Sequence, residues 1–266
     1  MSRQIRVRRH MRLLAPLVLA ACGAIWAPVP AGARTLEEAL ADGGRAYSAA
    51  NLEDARKAYA EALQIAPADI TALCRISRVE SELGEMQKGD TQRHTWADAV
   101  AHARDAVRAA PDQPEPHVCL AVALGRQALK EGPKTRLALS KEIKAEADLA
   151  LKIDPNVGRA WHVLAMWNVK IAGLNGFERM MANSILGGVP QGASNANAEQ
   201  AFQKAIELEP DYVNHHLEYG RFLKDMKRPA EARRELEKAI ALPGTSSALD
   251  ARYQADARAL LEKLPH

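Results

Sequence analysis

One pattern occurs twice, at almost the same spacing, between Ala198 and Pro243. Ala198, Phe202 and Ala205 precede Pro210, and Ala232, Leu236 and Ala239 precede Pro243. Between them, Val213 to Asp225 carries Leu217, Gly220 and Leu223 at helical spacing. Small side chains four or seven apart let neighbouring helices approach closely. A proline after each run stops the helix, because it has no N–H to donate and its ring clashes with the preceding turn. The stretch therefore reads as helix, turn, helix, repeated. Apolar residues make up 47% of the chain but aromatic ones only 5%, so the core must be built from Ala, Leu and Val at close range. That suits helices, and the β-branched runs are too short to suggest a sheet.

This spacing resembles the tetratricopeptide repeat: Gly at position 8, Ala at 20, an aromatic or Leu at 24, Ala at 27 and Pro near 32, on a 34-residue period. The resemblance implies an all-α, right-handed superhelical array of helical hairpins. Residues 34–266 divide into five repeats at about 36–69, 70–113, 114–157, 158–212 and 213–245, followed by a capping helix over 248–264. The first repeat is in register, with Gly43, Ala55, Tyr59, Ala62 and Pro67. In the second, Pro111 falls about ten residues late. Its excess, Glu85 to Thr95, is polar, and Thr95 with Asp98 has the form of a capping box, so a loop insertion is predicted. The third repeat has a similar excess around Gly132 and Pro133, flanked by helix formers, and longer helices are predicted there. The fourth has the largest excess, between Ile171 and Asn197. It holds an apolar patch (Phe177, Met180, Met181, Ile185, Leu186) and then a helix-breaking run, Gly187, Gly188, Val189, Pro190.

Residues 1–33 have the parts of a secretory signal: Arg3, Arg6, Arg8, Arg9 and Arg12, an apolar run from Leu13 to Trp26, and Ala31-Gly32-Ala33 as a cleavage site. Export to a bacterial periplasm or beyond is expected. Leu19-Ala20-Ala21-Cys22 offers a competing route, a lipobox whose Cys22 would carry a lipid and anchor the chain to a membrane, as would a leader left uncleaved. The charge is consistent with a leader. Taking those five arginines from the 36 basic residues leaves 31 against 33 acidic, a net of −2, so the formal +3 belongs to the leader. The body has no basic stripe for a phosphate backbone, and no nucleic-acid partner is expected.

The C-terminal half carries Trp161-His162-Val163-Leu164, Trp167, Glu178-Arg179, Gly187-Gly188, Pro190, and Pro210 followed by Tyr212, Asn214, His216, Glu218 and Gly220. With these it resembles the regulator of microtubule dynamics family, tetratricopeptide-like proteins with over-long repeats. Eukaryotic members are associated with microtubules and organelle membranes and are not known as enzymes. An exported chain does not meet tubulin, so what the resemblance implies here is the scaffold with a helical insertion.

Arrays of this kind bind on the concave face, through positions 2, 5, 9, 12 and 13 of each first helix. Those positions give Arg78, Glu82, Arg126, Arg159, His162, Met166, Lys170, Asn214, Leu217, Arg221 and Lys224. Basic groups outnumber acidic ones, which suits an extended protein or peptide partner with acidic residues, or an amphiphile with an anionic head. In the second case Phe177, Met180, Met181, Ile185 and Leu186 would form a lid over the groove, with a lipid-like ligand beneath. His162, His215, His216 and Glu218 invite a metal or acid–base reading, but no motif joins two ligands a turn apart to a third. Gly132-Pro133-Lys134-Thr135 fails as a phosphate loop. A non-catalytic scaffold without cofactor or metal is expected. Cys74 and Cys119, on first helices of different repeats, read as small buried apolar residues.

Overall fold

The computed structural model describes residues 34–185, 188–245 and 247–265, and of Met181 and Ile185 only the backbone. Residues 1–33, the expected leader with Cys22, and also Leu186 and Gly187, lie outside the described residues. Twelve helices and no strand occur among those described: α1 Leu36–Ser48, α2 Leu52–Ile65, α3 Ile70–Met86, α4 Gly89–Ala109, α5 Pro114–Ala128, α6 Pro133–Ile153, α7 Gly158–Ala172, α8 Gly176–Ile185, α9 Asn195–Leu208, α10 Val213–Asp225, α11 Pro229–Ala241 and α12 Asp250–Leu261.

Helices pack in antiparallel pairs, α1 with α2, α3 with α4, α5 with α6, α7 with α9 and α10 with α11, and α12 closes the last pair. Close approach within a pair rests on glycine under a large side chain. A Cβ on Gly43 would stand 2.3 Å from the Tyr59 ring, and one on Gly220 would stand 2.8 Å from Leu236. In the second pair the same contact falls at Gly84 against Trp96, at 2.3 Å.

The excess in that pair is not a loop. Helix α3 runs on to Met86 and α4 starts at Gly89, so 85–95 is almost wholly helical. Thr95 caps nothing: it is buried inside α4, and its hydroxyl donates to Gln87 Oε1 at 2.7 Å. Gln92 donates to the Gly84 carbonyl at 2.7 Å and Trp96 to the Ser81 carbonyl at 3.0 Å. These polar residues point across the hairpin rather than into water, and polarity alone misreads them as loop.

Successive pairs are joined by a recurring bond. His117, Trp161 and His216, each fourth in its helix, face the carbonyl six residues back, at Pro111 (2.8 Å), Pro155 (2.9 Å) and Pro210 (2.9 Å). The proline that stops one helix thus presents an acceptor to a ring at the start of the next. In both histidines the second nitrogen meets a carboxylate of the following helix, Glu146 at 2.6 Å and Glu235 at 2.7 Å.

The superhelix curls far enough for its ends to meet. Ser247 Oγ donates to Glu82 Oε1 at 3.0 Å, Tyr253 to Glu85 Oε1 at 3.2 Å, and Arg252 to the Glu85 carbonyl at 2.9 Å. Tyr47 of α1 donates to the same Glu82 oxygen at 2.7 Å. The terminal helix is therefore more than a polar cap, because it spans from the fifth repeat back to the second.

Candidate functional site

The inner face is built by α3, α5, α7 and the start of α10. Arg78, Arg126 and Arg159, one from each of the first three, all act electrostatically on Tyr212, which N-caps α10. Burial pushes the Tyr212 phenol up against the pull of all three guanidinium groups. None of the three is an unopposed cation. Arg78 Nε meets Glu82 Oε1 at 3.2 Å, Arg126 meets Glu85 at 2.5 Å, and Arg159 meets Glu115 at 2.6 Å. Further along, Arg221 pairs with Glu218 at 2.8 Å and with Asp256 at 3.2 Å, and Lys224 approaches Asp225 at 3.5 Å. The basic excess read from the sequence is thus matched by carboxylates, and the expected open cationic groove is a network of pairs instead. The second and third pairs cross from one repeat to the next, so they tie the wall together.

This network is enclosed yet reachable. The side chains of the three arginines are between 26% and 30% exposed, whereas Glu82 is 8% exposed. Burial pushes the Glu82 carboxyl up despite Arg78, Tyr47 and Ser247, and pushes the Glu218 carboxyl up despite Arg221, Arg126 and Lys170. Arg78 Nε, Tyr47 and Ser247 all converge on one Glu82 oxygen, and Oε2 is left without a hydrogen-bond partner.

The remaining groove candidates separate. Leu217 is a correction: it is wholly buried in the core with Phe202, Phe222 and Leu236, and touches no groove. Asn214 is buried, with its Oδ1 unpaired. Met166 is half-buried and Lys170 exposed. His162 does not work with Glu218. Its Nδ1 lies 3.0 Å from His215 Nδ1, and His215 Nε2 lies 3.3 Å from Glu209 Oε2. The two rings stack at 4.8 Å between centroids, with Phe202 edge-on to His162 at 5.9 Å. Burial depresses the proton affinity of both rings; His215 and Arg126 lower that of His162 further, whereas for His215 the Glu209 carboxylate works against burial and His216 and Arg159 work with it. Both ring nitrogens of His215 thus have polar neighbours. Among the described residues no three His, Cys, Asp or Glu side chains converge as ligands.

Among its described residues the insertion does not roof the groove. Its buried side chains, Ala182 and Val189, share a core with Leu137 and Ile143 of α6 and Trp167 and Ile171 of α7. Gln191 and Gly192 border a recess of about 340 Å³ with Lys144 of α6 and Gln200 of α9. This is the edge and outer side of the array, where the second helices lie. Of the lid candidates, Phe177 is 67% exposed and Met180 53% exposed, so neither closes over anything. The side chains of Met181 and Ile185, and Leu186 as a whole, lie outside the described residues.

A larger recess, about 500 Å³, opens at the rim where α3 and α5 begin. It is lined by Asp69, Thr71, Cys74, Arg75, Gln113 and Glu115, and through Glu115 it adjoins Arg159. The position rule could have found Glu115, the second residue of α5. It could not have found Glu85, Tyr212, Ser247 or Tyr253, which reach the wall through a lengthened helix, an inter-helix turn and the returning C-terminus.

The chain matches the family model for regulator of microtubule dynamics protein 1-3 over residues 39–265. It is 26% identical over 191 residues to regulator of microtubule dynamics protein 1 of Caenorhabditis elegans, covering 72% of this chain and 84% of that one. Among solved structures it is similar to a thermophilic tetratricopeptide-repeat protein of Thermus thermophilus, with TM-score 0.62, 16% identity, and 84% and 98% of the two chains covered. A tetratricopeptide-repeat protein from Parabacteroides merdae is similar with TM-score 0.50 and 17% identity, over 89% of this chain and 81% of that one. These structural likenesses establish a tetratricopeptide fold.

Proposed function

Because the chain belongs to the regulator of microtubule dynamics protein 1-3 family, we propose that it is a non-catalytic helical-repeat scaffold that holds a protein partner on its inner face, in a bacterial cell envelope. The observation that carries this is the wall of three arginines from successive repeats, partly exposed and held ready in fixed geometry by carboxylates. A guanidinium already oriented loses little freedom on binding, so a partner carboxylate that displaces a resident one forms a forked pair at low entropic cost. Arg159 is the point of entry: its partner Glu115 is 42% exposed and stands at the mouth of the rim recess.

The envelope location is supported by the arginine-rich start, the apolar run and Ala31-Gly32-Ala33. Among the described residues no helix is long and apolar enough to cross a membrane. A release at Ala33 and a lipid anchor at Cys22 differ in the mature N-terminus, which mass spectrometry of the exported protein reads directly. The microtubule role in the relative's name is not carried over, since an exported protein does not meet tubulin.

The test is crosslinked capture with tagged full-length chain in an exporting bacterium, comparing the natural chain with Arg159→Ala. A partner captured by the first and recovered at least tenfold less by the second supports the reading. Equal recovery by both removes the inner face as the docking site.

A further inference from the structure

The recess of about 340 Å³ on the outer side of the array combines aromatic rings with side-chain amides. Its buried and half-buried side chains come from α7 and include Trp161, Leu164 and Trp167, whereas Gln191, Asn197 and Gln200 border it exposed. The two tryptophans differ in what they offer. Both indole N–H groups are engaged, Trp161 with the Pro155 carbonyl and Trp167 with the Ser140 carbonyl, each at 2.9 Å. Trp167 is 5% exposed, and Lys144 Nζ stands over its ring at 5.4 Å, so that face is taken. Trp161 is half-buried, and among the described residues no ring or cation lies over it. It therefore presents a π face to the recess and no donor.

The amides keep hydrogen-bonding capacity. Gln191 Nε2 donates to the Val189 carbonyl at 3.1 Å and Asn197 Nδ2 to the Gly192 carbonyl at 2.7 Å, which orients both side chains and leaves their amide oxygens open. Gln200 has neither end of its amide engaged among the described residues. The loop that carries Gln191 is fastened to α7 by Asn168, itself 7% exposed. The Asn168 side chain accepts from the Ser194 N–H at 3.1 Å and donates to the Leu164 carbonyl at 2.8 Å. Lys144, the one charged side chain among the described lining, is already paired with Asp148 at 2.5 Å.

We propose that this recess is a binding site for an uncharged saccharide, with one pyranose ring seated against Trp161. Each ring carbon of a sugar bears oxygen, so its C–H bonds are polarised and are drawn to the negative face of an indole. The hydroxyls around the ring both donate and accept, and so do amides: Gln191 and Asn197 accept through their free oxygens, and Gln200 does either. A carboxylate or phosphate finds no free cation here, and an aliphatic chain leaves the amides unused. The volume is at the small end for ligand sites, which suits a single ring with the rest of a glycan chain outside. The lining shares no residue with the arginine wall, so this site stands independently of the protein partner proposed for the inner face.

The test titrates the full natural chain with maltotriose, cellotriose and tri-N-acetylchitotriose, read by calorimetry and by tryptophan fluorescence. Saturable binding of at least one, with a Kd below about 1 mM and a change in tryptophan emission, is expected. Trp161→Leu should abolish it. Gln191→Ala with Gln200→Ala, which changes two exposed side chains, should weaken it at least tenfold. The proposal is overturned if none of the three sugars saturates by about 10 mM, or if the double variant binds as tightly as the natural chain. It is overturned equally if the uncharged peptide acetyl-triglycine-amide competes as well as the sugar, since the amides then read peptide bonds rather than hydroxyls. Should Trp161→Leu fail to fold, the double variant decides alone.

Discussion

The inner wall and the insertion are both departures from a plain repeat, and they are held in opposite ways. On the wall, charged side chains from five helices interlock, and pairs such as Arg126–Glu85 and Arg159–Glu115 cross repeat boundaries. The insertion has large apolar side chains, Phe177 and Met180, left in solvent, and its described core consists of Ala182 and Val189. Apolar content therefore does not tell where a repeat protein is firmly built. Buried charge does, because each such group is tolerable only where several partners are fixed around it. The wall must be rigid to exist at all, whereas the insertion can change at small cost.

That contrast can be broken at its strong end first. Glu82→Ala removes the acceptor shared by Arg78, Tyr47 and Ser247. A loss of about 2–4 kcal/mol is expected in denaturant unfolding, roughly 1 kcal/mol for each hydrogen bond removed, and a loss under 1 kcal/mol would mean that the wall is not cooperatively held.

The histidine pair behind the wall gives a pH signature. His162 and His215 hold protons less tightly folded than unfolded. Their contribution is therefore complete above the ordinary histidine value near 6.5 and is lost as pH falls below it. For each ring the loss runs at up to about 1.4 kcal/mol per pH unit. The variant His162→Phe/His215→Phe should flatten the stability profile between pH 6.5 and 5 measured by thermal unfolding. An unchanged slope would place the titration elsewhere.

Smaller effects sharpen the comparison. Arg159→Ala should weaken partner capture at least tenfold, about 1.4 kcal/mol, while shifting stability little, since Glu115 is 42% exposed and can be rehydrated. Phe177→Ser with Met180→Ser should change unfolding free energy by less than about 0.5 kcal/mol and leave capture intact. If instead capture is lost, the insertion belongs to the docking surface and the division drawn here is wrong.

Much of the fold was legible because its signals are local. Prolines at 111, 155 and 210 mark helix ends, and glycines at 43 and 220 mark close approach. The run 85–95 misled because its polar residues bond across a hairpin, a partner that sequence distance conceals. The candidate site was legible only in part. Position counting reached Arg78, Arg126 and Arg159, yet it placed Leu217 in the groove, since a helix face read from spacing cannot show how far its neighbours wrap around it.

Small residues and prolines at fixed spacing determined by themselves that this chain forms stacked helical pairs, because helix termination and close packing depend on residues a turn or two apart. The tertiary structure alone decided that the array curls until Ser247 and Tyr253 reach Glu82 and Glu85. It also decided that the wall's cations are paired across repeats and that the insertion lies outside the groove. Those outcomes depend on the accumulated angle between successive pairs, which sums small packing differences over the whole chain and is written in no single stretch of it.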